Sequence, residues 1–240
     1  MANLGQYWPS EPMTNEHDQL KNGLNALGFE ITPHQSAALI QYLETLAVTN
    51  ESFNLTRIPR EEYVALHLLD SLTALVALSK ESELNILDVG TGAGFPGVPL
   101  AAMLPHCKVT LLDSTAKKVK FASFTAQECG IKNCRGLHGR AEVLARTKEH
   151  RDHYDIVISR AVAAFPKLME WLLPLTKVGG YAIAMKGAGY EQEIAGSESL
   201  VRELGGSIER VIDTPLPGTD IVRHTIVVRK ERPTPGKFPR

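Results

Sequence analysis

From residue 84 onwards, short apolar segments alternate with helical ones, and this alternation constrains the fold more than any other feature of the chain. Apolar runs suited to strands fall at 85–89, 108–113, 134–138, 154–159, 179–185, 207–212 and 223–229. Stretches long enough for a helix separate all but the last pair, and parallel strands need such crossovers. Only Thr214-Pro215-Leu216-Pro217-Gly218 separates the last two runs, too little for a helix, so those strands should be antiparallel. The predicted fold is α/β, a doubly wound and mostly parallel seven-stranded sheet. Ahead of it every periodic segment reads helical. Leu20, Leu24 and Leu27 sit at helical spacing before Gly28, and Thr32-Pro33 is a helix start followed by the stripe Leu39, Leu43, Leu46. After a polar loop over 49–59, one more helix is expected from about Arg60 to Leu78. On it Leu66, Leu69, Leu72 and Val76 would face the core, with His67, Asp70 and Ser71 on another face. The expected division is a helical N-terminal extension over 1–83, the sheet domain over 84–230, and a basic, proline-rich tail over 231–240, loosely ordered.

The first strand ends in Asp88-Val89-Gly90-Thr91-Gly92-Ala93-Gly94-Phe95. Glycine lacks Cβ, so such a turn can take positive φ and let a ligand approach the backbone. Gly92 to Gly97 literally satisfies the dinucleotide pattern GxGxxG, which grips pyrophosphate. An acid two residues before Gly90 suits a cationic sulfonium amino acid better than a pyrophosphate. The run resembles motif I of the S-adenosylmethionine (SAM) methyltransferases, which implies a Rossmann-like SAM fold with SAM as cofactor. Asp113, closing the second strand, stands where a ribose-binding carboxylate belongs.

Composition fits an ordinary cytoplasmic protein. With 240 residues and 43% apolar content the chain can bury a full core. Cys107, Cys129 and Cys134 form no CxxC pair and lack His partners at metal spacing, so neither a disulfide framework nor a metal site is expected. The residues after Met1 do not read as a basic-then-apolar leader, so none is expected, and no apolar run approaches the roughly 20 residues of a membrane span. A net charge of −1 offers no global attraction for nucleic acid, so an RNA substrate would be held by local basic groups.

Ligands of open α/β sheets bind beyond the carboxyl ends of the strands. Gly90, Gly92 and Gly94 would pass under the amino-acid part of SAM, and Gly139-Arg140-Ala141-Glu142 would meet the adenine. Glu142 either reads the adenine edge or is a surface carboxylate. Arg160, at the fourth strand end, is costly to bury without an anionic partner and is a candidate for positioning the substrate. The fourth strand end also bears on which atom is methylated. Exocyclic amines are methylated by enzymes with an Asn/Asp-Pro-Pro-aromatic turn there, and this chain has Ser159-Arg160-Ala161. Pyrimidine C5 chemistry needs a cysteine nucleophile, and there is none beyond Cys134. Hydroxyl and amine targets need a general base, which arginine is not. A ring nitrogen with a free lone pair escapes all three requirements, and guanine N7 is such an atom. None of this chooses between RNA and a small molecule.

Phe53-Asn54-Leu55-Thr56, His67-Leu68-Leu69-Asp70-Ser71-Leu72 and Asp88 through Gly97 together resemble the small-subunit ribosomal RNA guanine-N7 methyltransferases, also called glucose-inhibited division protein B or RsmG. The likeness runs on through Leu112-Asp113-Ser114, Arg140-Ala141-Glu142, Ser159-Arg160-Ala161 and Met185-Lys186-Gly187 to Arg223-His224, over about residues 20 to 230. The resemblance implies a seven-stranded SAM fold behind a helical extension, and as substrate a guanine in the decoding-region loop of 16S rRNA, in the small subunit or an assembly intermediate. Neither DNA nor membrane nor an obligate protein partner is implied. It carries cofactor contacts to Gly90, Phe95, Ala141, Glu142 and Arg160, with Asp113-Ser114-Thr115 as the ribose segment. It carries its other polar motif residues, taken as RNA contacts, to Asn54, His67, Asp70, Arg140, Lys186, Arg223 and His224.

Each of these residues also has a structural reading. Asn54 can cap a turn, His67 and Asp70 can tie their helix down, and Arg223-His224 can pair with a nearby acid. Lys117, Lys118 and Lys120 are either a solvated face or a phosphate track, while Lys186 ends a strand on the ligand side, as Arg160 does. Two other classes stay open: an NAD(P)-binding oxidoreductase using Gly92, Gly94 and Gly97, and a SAM-gated rRNA-binding assembly factor without transfer activity. Asp88 and the lack of a second catalytic domain weigh against the oxidoreductase.

Overall fold

A computed structural model describes residues 14–78, 83–160 and 162–240. Residues 1–13, the expected domain boundary near 79–82, and Ala161 of the Ser159-Arg160-Ala161 motif lie outside the described residues. The chain opens with α1 (Thr14–Ala26) and α2 (Pro33–Asn50). Thr32 caps α2 as expected: its hydroxyl accepts from the Gln35 amide at 3.2 Å, and the Gln35 side chain accepts from the Thr32 amide at 3.0 Å. Leu39, Leu43 and Leu46 are fully buried on the face turned to the rest of the chain.

The single helix expected over 60–78 is instead four short pieces. A 3-10 turn (Arg60–Glu62) leads into a π-helix (Val64–Leu69), then α3 (Asp70–Leu72) and a second 3-10 stretch (Thr73–Ala77). The π turn widens the helix, so the simple face assignment fails. Asp70 donates its amide to Ala65, five residues back, and His67, Asp70 and Ser71 are buried together with Leu69 and Leu72. Leu66, expected in the core, is half-buried at a pocket wall.

The sheet follows in the predicted order: β1 (Asn85–Val89), α4 (Gly97–Met103), β2 (Lys108–Asp113), α5 (Ala116–Glu128), β3 (Cys134–His138), α6 (Ala141–Leu144), β4 (Tyr154–Arg160), α7 (Phe165–Leu172), β5 (Thr176–Lys186), α8 (Tyr190–Ile194), α9 (Glu198–Glu203), β6 (Gly206–Pro215) and β7 (Val222–Lys230). The seven strands lie in the order β3-β2-β1-β4-β5-β7-β6. β1 pairs in parallel with both β2 and β4, so the chain reverses its winding at β1, and the crevice of such a sheet opens beyond that strand. β7 is antiparallel to both β5 and β6, as the short connection between β6 and β7, residues 216–221, requires.

Period-2 alternation divides the strands between two cores. Ile86, Val109, Leu111, Ile156 and Ile158 pack with α4, α5 and the N-terminal helices on one face. Leu87, Val89, Leu112, Val157 and Ala184 pack with α7 and α9 on the other. The helical extension therefore shares a single core with the sheet. The tail departs from expectation, because residues 231–240 pack closely against the second core. Phe238 is fully buried there, and the Arg151 guanidinium donates to the Thr234 and Phe238 carbonyls at 2.7 and 3.2 Å. Lys230 is fully buried with Asp152 at 2.9 Å and the Thr234 hydroxyl at 2.8 Å. Composition marked this segment as polar, but a single aromatic anchor outweighs its prolines and charges. Among the described residues no helix is long and apolar enough to cross a membrane.

Candidate active site

The turn after β1 is built from glycines in the left-handed region, with φ of 74° at Gly90, 58° at Gly92 and 96° at Gly94. The amides of Gly90 and Thr91 both donate to the Leu112 carbonyl, at 2.8 and 2.9 Å, which ties the turn to β2. Asp113 ties it a second time, its carboxylate accepting from the Gly92 amide at 3.0 Å and the Thr115 amide at 2.8 Å. Below, the Tyr42 hydroxyl of α2 donates to the Ala93 carbonyl at 2.7 Å. A Cβ on Gly90 would stand 2.5 Å from Val162 Cγ2, and one on Gly94 would strike the Tyr42 hydroxyl. Gly92 differs: a Cβ there meets nothing closer than 4.0 Å and would project into open space.

That open space is a cleft of about 370 Å³ beyond the ends of β1 to β4. It brings together Gly90, Gly92, Asp113, Ser114 and Thr115 with Arg140, Ala141, Glu142 and Arg160, which the sequence places far apart. Arg140 and Glu142 pair with each other at 2.6 Å across its rim, an interaction that lowers the Glu142 pKa against the effect of its partial burial. Val162, Lys118 and Trp171 also line it. Lys118 is one of the lysines left open above, but Trp171 carries no local signal, because it reaches the cleft only through the packing of α7. The site fits an adenosyl methionine: a glycine turn gives close backbone approach, and Asp113 keeps lone pairs for ribose hydroxyls. Val89, Leu112, Ala141 and Trp171 offer apolar surface to the base.

Three expected cofactor residues stand outside the cleft lining. Asp88 is fully buried beneath α4, where its carboxylate accepts from the Gly97 amide at 2.8 Å. It shares a strand face with Ile86, opposite Leu87 and Val89, so the alternation turns it away from the ligand side. Burial pushes its carboxyl up to about 7, against the opposing pull of Thr91 and the Gly97 amide. Gly94 and Phe95 are also buried, beside Tyr42, and support the turn from beneath.

Arg160 joins the cleft to a second pocket of about 260 Å³, walled by Ile58, Leu66, Met185 and Gly187. Its guanidinium donates to Asp70 at 3.0 Å and to the Leu66 carbonyl at 3.0 Å. Arg223 donates from Nε to the other oxygen of Asp70 at 2.7 Å and from Nη2 to the oxygen shared with Arg160 at 3.2 Å. One carboxylate thus fixes two arginines at a single pocket wall, so the expected RNA contact Asp70 faces two guanidiniums. Burial lowers the Arg160 pKa and the Asp70 charge counters it. Lys186 also lines this pocket, its ammonium held by Glu193 and the Ala163 carbonyl, each at 2.6 Å.

The remaining expected RNA residues are dispersed. His67 lies beneath the site, stacked on Phe95 with centroids 4.3 Å apart and bonded to the Thr56 hydroxyl at 2.9 Å. Burial, and then the Arg160 charge, lower its pKa to about 3, so the ring is neutral. His224 sits apart, paired with Asp213 at 2.7 Å and stacked on Tyr190. Asn54 is exposed, and the loop is capped by Asn50, whose side chain accepts from the Leu55 and Thr56 amides at 2.7 and 2.9 Å.

The reversal of winding at β1, the antiparallel β7 between β5 and β6, and the glycine turn over an acid-closed second strand define the class: a Rossmann-like SAM-dependent methyltransferase. The fold is shared with a SAM-dependent methyltransferase from Aquifex aeolicus, with a TM-score of 0.52 and 19% identity over 70% of this chain and 92% of that one. It is shared too with a mutant 16S rRNA (adenine(1408)-N(1))-methyltransferase from Catenulisporales acidiphilia solved with cosubstrate SAM, at a TM-score of 0.51, 14% identity, and 64% and 88% coverage. Residues 35–213 match the model of the GidB family, rRNA small subunit methyltransferase G. Proteins called ribosomal RNA small subunit methyltransferase G are 42% identical in Alkaliphilus metalliredigens, over 92% of this chain and 93% of the relative, and 43% identical in Deinococcus radiodurans, over 92% and 87%. The chain belongs to the rRNA small subunit methyltransferase G family, and S-adenosylmethionine is its methyl donor.

Proposed function

We propose that this enzyme transfers a methyl group to N7 of a guanine in the decoding-region loop of 16S ribosomal RNA. The observation that carries this reading is Arg160, whose guanidinium lines both the cofactor cleft and the adjoining pocket, so that a base in the pocket lies beside the cofactor. When bound, S-adenosylmethionine supplies an electrophilic methyl group on a sulfonium. The cleft residues hold and orient that donor: the Gly90–Gly92 turn admits it closely, and Asp113 accepts from its ribose.

Among the described residues the pocket offers arginine donors and an apolar wall, and no group free to take a proton. Asp70 is held by three hydrogen bonds from Arg160 and Arg223. Lys186 is ion-paired, and neutral His67 lies beneath the cleft with Thr56. A base is needed for an exocyclic amine or a hydroxyl and is not needed for a ring nitrogen with a free lone pair. Arginine is the usual side-chain partner of the guanine edge that carries O6 and N7. A contact through O6 alone leaves N7 free for attack. The rate enhancement then comes from holding donor and acceptor in line, where effective molarities reach about 10⁵–10⁸ M. The relatives' name supports rRNA as the substrate. The test is methyl transfer from labelled S-adenosylmethionine to unmodified 16S rRNA, with digestion to nucleosides. Labelled 7-methylguanosine is expected, and label in any other nucleoside overturns the N7 reading.

A further inference from the structure

A groove of about 510 Å³ runs between α2 and α5, and it shares no lining residue with the cofactor cleft or the base pocket. Helical spacing builds both walls. Gln41, Thr45 and Thr49 come from one face of α2, and Lys117, Lys120, Phe121 and Phe124 from one face of α5. Phe53 closes the end nearest the turn of the sheet. Two large rings are left in solvent here, Phe53 at 48% and Phe124 at 61% exposure. Two rings so exposed in the lining of one groove mark an interaction surface. The rim supplies the charge. Lys117 and Lys120 are exposed, and among the described residues neither forms an ion pair; Lys117 lies over the Phe53 ring, 5.3 Å from its centre. The acid of the groove, Glu128, lies three turns along α5 from Lys117.

The groove is also joined to the base pocket. Phe53 and Leu55 line the groove and Ile58 lines the pocket, so at most about 11 Å of extended chain separates Leu55 from Ile58. That connection is stiff. Asn50 clamps Leu55 and Thr56, and the Thr56 hydroxyl, bonded to His67, accepts from the Ile58 amide at 3.1 Å. Aromatic faces beside unpaired lysines are the elements that hold single-stranded nucleic acid, rings stacking on bases and cations following the backbone.

We propose that this groove is a second RNA site, in which unpaired bases of the rRNA substrate stack on Phe124 and on Phe53 while the flanking phosphates lie on Lys117 and Lys120. The proposal rests on rRNA being the substrate. The site gives affinity, without base-specific contacts, for the strand whose guanine enters the pocket.

The experiment uses the full-length protein with unmethylated 16S rRNA, both as a naked transcript and in reconstituted small subunits. Phe124→Ala and Phe53→Ala should each weaken RNA binding by about 5- to 150-fold, the range for loss of one stacked base. Binding of S-adenosylmethionine, the melting temperature and the single-turnover rate at saturating RNA should not change. Phe124→Trp should bind as the wild type does, and Phe124→Leu as poorly as Phe124→Ala. The double variant Lys117→Ala/Lys120→Ala should reduce the slope of log affinity against log salt by about 1.4, for two single-strand phosphates. Unchanged RNA affinity in the Phe124→Ala and double-lysine variants overturns the proposal. So does full affinity in Phe124→Leu, which would make the groove an apolar socket for a protein. A wild-type enzyme that methylates neither form of the rRNA overturns the reading beneath it, and with it the groove, before any variant is compared.

Discussion

At the scale of single residues, similar side chains do different work because of where the backbone turns them. Gly92 is the turn glycine with a positive φ and open space above it, so it can be altered without disturbing the sheet beneath. Gly92→Val places a branched side chain in the cleft at a local cost of about 1–3 kcal/mol in backbone strain. Loss of S-adenosylmethionine binding by calorimetry, with an unchanged circular dichroism spectrum, is the expected outcome. Asp88, by contrast, acts on stability. Its carboxyl ionises near 7 in the folded chain because burial penalises the charge. In the unfolded chain it ionises near 4, so its contribution is fully present only below that pH and is lost as pH rises through about 7. Asp88→Asn keeps an acceptor for the Gly97 amide and has no charge to lose. The melting temperature of this variant should therefore gain on the wild type between about pH 4 and 7. Parallel curves across that range would place the Asp88 pKa elsewhere.

At the scale of elements, the C-terminal segment is the clearest case of a part whose role depends on packing. Its composition suggests a free basic arm, yet Phe238 is fully buried and Arg151 gathers its carbonyls. Phe238→Ala should destabilise the protein by about 3–5 kcal/mol, the cost of emptying an aromatic site in a core. Urea denaturation measures that loss. The salt dependence of rRNA binding should stay as in the wild type, and a flatter slope would return the tail to the RNA surface. The π turn over Val64–Leu69 is a second such element, since it lets Asp70 meet Arg160 and Arg223 while His67 reaches Phe95.

At the scale of the whole molecule, the two sheet faces have separate duties: one core carries the N-terminal helices and the other carries α7, α9 and the tail. The cofactor cleft lies where β1 separates β2 from β4, so a ligand there braces the whole sheet. S-adenosylmethionine and S-adenosylhomocysteine should raise the melting temperature, by about 2.7 kcal/mol of stability at a hundredfold excess over Kd. NADH should leave it unchanged, and a reversed pattern would contradict the cofactor assignment. The whole site also predicts a pH profile. His67 is held near 3 and neutral, and Asp70 and Lys186 are committed to ion pairs, so among the described residues the pocket has no free proton acceptor. Single-turnover methyl transfer should then be flat between about pH 6 and 8.5, and flat in His67→Asn as well. A rate rising through that range, and flattened by His67→Asn, would indicate proton abstraction and contradict N7 as the acceptor.

The fold was legible because its signals are local. Apolar runs of five to seven residues, the lengths of the stretches between them, and glycines after the first strand place all seven strands, their order of direction and the ligand end of the sheet. Half of the site was legible for the same reason, since Gly90, Asp113 and Ala141 occupy strand ends that any such sheet brings to one edge. What tertiary structure alone decided involves partners distant in sequence. Asp70 meets Arg160 across 90 residues and Arg223 across 153, Trp171 reaches the cleft by the packing of α7, and Phe238 finds the second core from the end of the chain. Asp88, expected at the cofactor, stands outside the cleft lining, and period-2 alternation already sets it on the face of Ile86. A motif records which residues occur together. The pleat of the strand and the packing of the helices decide which way each side chain points, and charges separated by a hundred residues pair only once the core has brought them within 3 Å.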